Sequence, residues 1–156
     1  MDILPDLFFR DLKVIFCGTA PGKTSAGARA YYAHPRNRFW PILSETRLIT
    51  ADLQPHEFKR LREWQIGLTD LCKTASGNDD QLPKGALEPS RLKQSIIEYR
   101  PRFIGFTSKT AGRAFLGRTV EYGWQTSFHE SRIYVLPTTS PRWGIEWWNE
   151  KKGALA

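Results

Sequence analysis

The sequence predicts an α/β domain of three layers, a central, mostly parallel four-stranded sheet with helices on both faces. Three observations carry that expectation. Short apolar runs of strand length alternate along the chain with segments of helical periodicity, the order that builds a parallel sheet from β-α-β units. The 156 residues contain no repeat, low-complexity block or evident linker, so residues 1–156 form one domain. Hydrophobic residues make up 40% and charged residues 25%, the balance of a soluble globular core.

The elements follow in order. Lys13 to Cys17 is an apolar run ending at Gly18, the pattern of a buried parallel strand. Asn37 precedes Arg38-Phe39-Trp40-Pro41-Ile42-Leu43, where an N-cap residue would start a helix with proline in its first turn. Pro55 to Trp64 places Phe58, Leu61 and Trp64 on one helical face, and Ile66 to Leu71 is a second strand. Residues 73–87 are polar and turn-rich, a loop long enough to be functional or mobile. Pro89 to Tyr99 is a helix with Leu92, Ile96 and Tyr99 on one side, stopped by Pro101. Phe103 to Thr107 is a third strand, Lys109 to Leu116 a short helix, and Ile133 to Leu136 the last strand, with Val120 to Phe128 β or irregular.

In such sheets ligands bind beyond the carboxyl ends of the strands. The segments leaving those ends are Gly18 to Asn37, Thr69 to Leu82 and Thr138 to Trp143, and they should meet in space.

Composition bounds the function. The longest apolar runs are too short to cross a bilayer, and acidic Asp2 and Asp6 replace the basic start of a signal peptide. The expectation is a cytoplasmic, monomeric protein without membrane contact, active at a bacterial nucleoid. Cys17 and Cys72 lie beside strand-like runs and read as buried reduced thiols. His34, His56 and His129 are scattered and no Cys/His cluster has zinc spacing, so neither metal nor cofactor is expected. A net charge of +7 biases encounter toward polyanions, with arginine offering a planar fork for phosphate.

Residues 18–37 concentrate glycines, hydroxyls, aromatics and one amide. Gly18, Pro21, Gly22 and Gly27 make a tight loop whose N–H groups could face a ligand oxygen. It is not a P-loop: Gly22-Lys23-Thr24 is present, but Cys17 stands where that motif needs its first glycine.

The run G-T-A-P-G-K-T-S-A-G followed by Y-A-H-P-R-N-R-F-W resembles the first motif region of the uracil-DNA glycosylase superfamily. It looks most like the mismatch-specific uracil/thymine branch, which carries G-I-N-P-G, then S-A-G, then A-H-P-x-N-R-F-W. The hypoxanthine-DNA glycosylase branch is similar too, with Y-Y-x-H-P-R-N-x-F-W and a different residue at the Asn position. G-L-T-D-L at 67–71 continues the resemblance, and L-P-T-T-S-P-R at 136–142 matches its last motif loosely.

The resemblance implies a monofunctional DNA glycosylase of base excision repair, hydrolysing the N-glycosidic bond of a deaminated base (uracil, hypoxanthine or xanthine). Its partner would be DNA with a damaged or mismatched base. Such an enzyme must flip the base out and hold it by edge and faces. Gly18, Thr19, Ala20, Pro21 and Gly22 would shape the pocket, Tyr32 would stack on the base, and Ser25 would contact base or phosphate or simply hold the loop. Thr138, Thr139, Ser140 and Arg142 match the loop that grips phosphates, with Arg142 or Trp143 filling the gap left by the base. Trp147 and Trp148 read as helix packing.

Ala20 departs from the pattern. The mismatch branch has there an Asn that orients the attacking water, and other branches an Asp or Glu; alanine does neither. Asn37, the amide the hypoxanthine branch is held to use, and Asp70, at the end of the second strand, are the candidates to compensate as catalytic residues. Asn37 could equally cap the following helix, and Asp70 could read the edge of the base or act as the base catalyst. Asp79 and Asp80 read as a solvated turn. Thr138 occupies the place where relatives carry a histidine that stabilises the leaving base. No lysine occupies the matched pocket positions, which excludes a Schiff base there. The rivals are a DNA-binding relative that lost catalysis with its Asn, and a hydrolase of free nucleosides.

Overall fold

The computed structural model describes residues 1–140. Arg142, Trp143, Trp147 and Trp148 lie outside the described residues.

The elements run β1 (Val14–Gly18), α1 (Lys23–Ala28), α2 (Phe39–Glu45), a 3-10 helix (Pro55–Trp64), β2 (Ile66–Asp70), a short 3-10 turn (Asp79–Gln81), α3 (Pro89–Tyr99), β3 (Phe103–Phe106), α4 (Lys109–Leu116), β4 (Gly123–Phe128) and β5 (Ser131–Val135). The sheet order is β2-β1-β3-β5-β4. β1 pairs in parallel with β2 and β3, and β3 with β5, while β4 joins the edge antiparallel to β5.

The sheet therefore has five strands rather than the expected four. The additional one is β4, whose exposure alternates along Gly123–Phe128 so that no continuous apolar run marks it. An edge strand that forms a hairpin needs only one partner and half a buried face. β1, at the centre, is buried at all five residues, which explains its unbroken apolar sequence.

The two faces carry separate cores, so helices do cover both. Val14 and Phe16 pack with Phe39, Trp40, Leu43, Phe58 and Leu61, from α2 and the 3-10 helix. Cys17, Ile104 and Phe106 pack on the other face with Leu92, Ile96 and Phe115, from α3 and α4. The expected helix over Pro55–Trp64 is 3-10 rather than α. Its apolar residues Phe58, Leu61 and Trp64 are spaced by three, which is the 3-10 repeat and not 3.6.

The N-terminal segment lies along β2. Leu7 bridges Leu68 through reciprocal N–H···O bonds of 2.8 and 3.3 Å, and the Ile3 amide donates to the Lys73 carbonyl at 2.8 Å. A side chain at Gly67 would run into the Leu7 carbonyl, so this close approach requires glycine there. The pairing brings Asp6 to the carboxyl end of the sheet.

Candidate active site

The three strand-end segments meet, as the sheet topology requires. The Leu71 amide donates to the Gly18 carbonyl at 2.9 Å, Cys72 to Thr19 at 2.7 Å and Gly77 to Pro21 at 2.9 Å. The Arg38 amide donates to the Thr139 carbonyl at 2.9 Å, which pins the last loop to the start of α2. Between them opens a cavity of about 1270 Å³, lined by Gly18, Asn37 and Asp70 and by hydroxyls of the first and last of these segments.

Gly18 and Asp70 sit side by side, paired in register at the ends of β1 and β2. A Cβ on Gly18 would lie 2.9 Å from Asp70 Oδ1, 3.5 Å from Thr107 Oγ1 and 3.7 Å from the Tyr32 hydroxyl. Three polar groups thus surround one point, and glycine leaves that point open. The Tyr32 and Thr107 hydroxyls are 3.4 Å apart. The Tyr32 ring lies on Phe39, centroids 4.0 Å apart and planes at 18°, and its backbone is left-handed (φ 52°). Such a backbone costs a non-glycine residue of order 1 kcal/mol or more, and here it turns the ring into the cavity wall.

Asp70 is 3% exposed, and its Oδ2 has no hydrogen-bond partner among the described residues. Burial pushes its carboxyl up to about 7 from the ordinary 3.8; Lys73 pulls it down, Asp6 adds upward pressure and Arg91 pulls down. Behind it lies an ion network. Asp6 Oδ1 receives the Lys73 ammonium at 2.7 Å and the Thr69 hydroxyl at 2.6 Å, while Oδ2 receives Arg91 at 2.9 Å. Arg91 also donates to the Asp70 backbone carbonyl at 2.7 Å, and Lys73 to the Tyr31 hydroxyl at 3.3 Å.

The remaining expected residues divide between wall and scaffold. The N-cap of α2 is Arg38 rather than the expected Asn37; Asn37, one residue earlier, accepts the Phe39 amide on Oδ1 at 2.9 Å and also lines the cavity. That bond fixes the side chain, and among the described residues its NH₂ and one carbonyl lone pair have no partner. Ser25 is buried and its Oγ accepts the Ala33 amide at 3.0 Å, the loop-holding role; it too borders the cavity. Thr19, Ala20, Pro21 and Gly22 form the rim. Thr138, Thr139 and Ser140 complete the wall, with Thr138 Oγ1 accepting the Ser140 amide at 3.1 Å.

Sequence reading missed several wall residues. Thr107 leaves β3 at the same end as the chosen segments, and the strand-end rule alone should have selected it. Asp79 and Asp80 line the cavity instead of standing free of it, because the Thr19 hydroxyl donates to Asp79 Oδ1 at 2.5 Å and folds the long loop over the rim. His34 borders the mouth with Nδ1 accepting the Arg36 amide at 3.1 Å. His129 sits in the β4–β5 turn at the opposite end of the sheet. The partners of Lys73 are 67 and 42 residues away and carry no local signal. Cys17 and Cys72 are buried and unpaired, as expected.

The family described as the uracil DNA glycosylase superfamily matches residues 5–155. In fold, the chain is similar to the solution NMR structure of a candidate uracil DNA glycosylase from Methanosarcina acetivorans. The TM-score is 0.67 at 20% identity, covering 97% of this chain and 94% of that one.

Proposed function

The chain belongs to the uracil-DNA glycosylase superfamily, and we propose that it is a monofunctional DNA glycosylase releasing a deaminated base from DNA. The observation that carries the reading is the joint lining of one strand-end cavity by an amide, Asn37, and a desolvated carboxyl, Asp70, beside the Tyr32 ring.

In this reading the base enters the cavity with a face against the side of Tyr32 that Phe39 leaves uncovered. Stacking of this kind contributes about 1–3 kcal/mol. Asp70 meets the hydrogen-bonding edge of the base. Water adds its oxygen to the sugar C1′ as the C1′–N bond breaks; the bonding pair leaves with the base, whose anion takes up the proton that the water gives up. Asn37, held by its bond to the Phe39 amide, orients that water with its free carbonyl lone pair. Ala20 contributes only space. Hydroxyls of Thr138 and Ser140 and backbone groups of the rim hold the flipped nucleotide's phosphates.

Two lysines border the cavity beyond the matched motif positions, Lys23 and Lys109. Lys109 is engaged by Glu121 at 3.2 Å and by the Tyr122 ring, and Lys23 is exposed. With Lys109 held by its partners and Lys23 turned to solvent, the arrangement supports water as the nucleophile. Borohydride should therefore trap no covalent adduct with DNA.

The test is incubation with oligonucleotides bearing uracil, hypoxanthine or xanthine, single-stranded and mismatched, followed by alkaline cleavage of abasic sites. Strand breaks with at least one base are expected. Binding without breaks would sink the enzyme reading in favour of a DNA-binding relative, the alternative that Ala20 supports. Turnover of free nucleosides with little salt dependence would favour a nucleoside hydrolase.

A further inference from the structure

We propose that the concavity at the amino ends of the sheet is a second binding site, for a free nucleotide whose phosphates lie on Arg10, Arg100 and Arg102 and whose base lies against Tyr99. The inference does not rest on the glycosylase reading, because this concavity shares no residue with the cavity at the carboxyl ends.

Three turns of the chain build the concavity. Asp11 lies in the turn before β1, Gln65 ends the 3-10 helix before β2, and Arg100 ends α3 before β3. All three have left-handed backbones, with φ of 65°, 61° and 51°. Gln65 ties two of these turns together. Its side-chain amide donates to the Asp11 carbonyl at 2.9 Å, and its own backbone carbonyl accepts the Lys13 amide at 2.8 Å. Lys13 and Arg102 immediately precede Val14 and Phe103, which are paired in register, so the two cations stand at one level on neighbouring strands. The space framed in this way is about 540 Å³, within the range of small-molecule sites.

The cations around it are unpaired. Among the described residues the side chains of Arg10, Lys13, Arg100 and Arg102 make no hydrogen bond, ion pair or ring contact, although Asp11 and Glu98 border the same space. Elsewhere on the surface Arg38, Arg60 and Lys109 each pair with a glutamate. Arg100 follows the last turn of α3 and complements its carbonyl end, but Arg10, Lys13 and Arg102 belong to no helix. Like charges on neighbouring strands repel, and a bound anion relieves that repulsion.

The rest of the lining narrows the ligand. Guanidinium forks match phosphate oxygens. The carboxylates of Asp11 and Glu98 only accept hydrogen bonds, and they repel a ligand that is anionic throughout, so the ligand also carries donors. Tyr99 borders the space with Phe8 stacked against it, centroids 5.3 Å apart and planes at 25°, much as Phe39 backs Tyr32 at the other end of the sheet. Phosphates, sugar hydroxyls and a flat base with N–H donors meet these three demands in one small molecule. A DNA duplex presents phosphates outward and keeps its ring donors paired, which fits this lining less well.

The experiment titrates the full chain with ADP, inorganic pyrophosphate, adenosine and a single-stranded oligonucleotide of undamaged bases, read by calorimetry and by ¹⁵N amide shifts. ADP should bind at least about tenfold more tightly than pyrophosphate or adenosine, with shifts at Gln65, Arg100 and Arg102. Arg100→Gln combined with Arg102→Gln should weaken ADP and pyrophosphate alike, by at least about tenfold. Tyr99→Leu should bring ADP down to the affinity of pyrophosphate and leave pyrophosphate unchanged. Both arginines are exposed, so their variant carries the test if Tyr99→Leu does not fold. No binding of ADP at millimolar concentration overturns the proposal, as do equal affinities for ADP and pyrophosphate, or shifts confined to Gly18, Tyr32 and Thr107. Shifts at Arg100 and Arg102 produced more readily by the oligonucleotide would assign the surface to DNA instead, and displacement of ADP by a glutamate-rich peptide at lower concentration would assign it to an acidic protein segment; either overturns the nucleotide site.

Discussion

The two ends of the sheet are both polar and concave, and they are built on opposite principles. At the carboxyl ends, a cavity of about 1270 Å³ contains Asp70 at 3% exposure, with Gly18 kept bare to leave room beside it. At the amino ends, a concavity of about 540 Å³ lies between Arg10, Lys13, Arg100 and Arg102, with Asp11 and Glu98 also at its edge. Arg10, Arg100 and Arg102 are exposed there. An exposed guanidinium costs the fold little, whereas a desolvated carboxyl with an unpartnered oxygen opposes folding by kcal/mol. Net charge points to arginine, but the folding cost lies at the other end, where the proposed chemistry takes place.

The contrast breaks most visibly at Asn37. Asn37→Ala should cut single-turnover base release at least about tenfold, while loss of its bond to the Phe39 amide lowers stability only about 1 kcal/mol in urea unfolding. Retained activity there, with activity abolished in Asp70→Ala, would move the water-orienting role to Asp70. Gly18→Ala comes next. Its methyl would sit 2.9 Å from Asp70 Oδ1, so base release should fall by about tenfold as the carboxyl is displaced; unchanged kinetics would mean the opening beside Asp70 is not where the base sits.

Asp70→Asn tests the folding cost itself. A carboxyl raised to about 7 in the fold from 3.8 contributes stability that is fully present below about pH 4 and is lost as pH rises through 7. The amide lacks this loss. The gap in urea midpoint between Asp70→Asn and wild type should shift in favour of the variant between pH 4.5 and pH 8. A gap independent of pH would mean that Asp70 is not desolvated as its burial implies.

What the sequence revealed divides along the same line. β1, β2, β3 and β5 were legible because strands buried on both faces have continuous apolar runs, and α3 and α4 because their apolar periodicity is unbroken. β4 was legible only as a stretch that is β or irregular, Val120 to Phe128, since half the strand's residues face solvent. α1, Lys23–Ala28, has no apolar stripe; its one buried residue is Ser25. At the site, Tyr32, Asn37 and Asp70 stood in local motifs. The ion network behind Asp70 joins Asp6, Lys73 and Arg91, whose attraction exists only after β2 has paired with the N-terminal segment. Asp6 had read as merely an acidic start to the chain. Long-range charge pairing leaves no periodicity to detect, whereas Thr107 has a local signal, since it follows β3 directly at the carboxyl end of the sheet.

The smallest effect is expected at the amino ends. Reversing Arg10 and Arg102 to Glu should leave single-turnover base release within about twofold of wild type, because a five-residue strand puts those residues about 16 Å from the cavity end of the sheet. The salt dependence of DNA binding is the sharper measure. Each phosphate contact removed lowers the slope of log K against log salt by about 0.9 for duplex and about 0.7 for single strand. Reversal of Arg10 and Arg102 should change that slope by less than one contact's worth, whereas Thr138 and Ser140, as uncharged hydroxyls, would weaken binding on substitution without altering it. A slope reduced by two contacts' worth in the Arg10/Arg102 variant would show that DNA also reaches the amino ends. The surplus of arginine would then be part of the substrate path, and the two ends would differ in the reason for their charge rather than in whether DNA touches them.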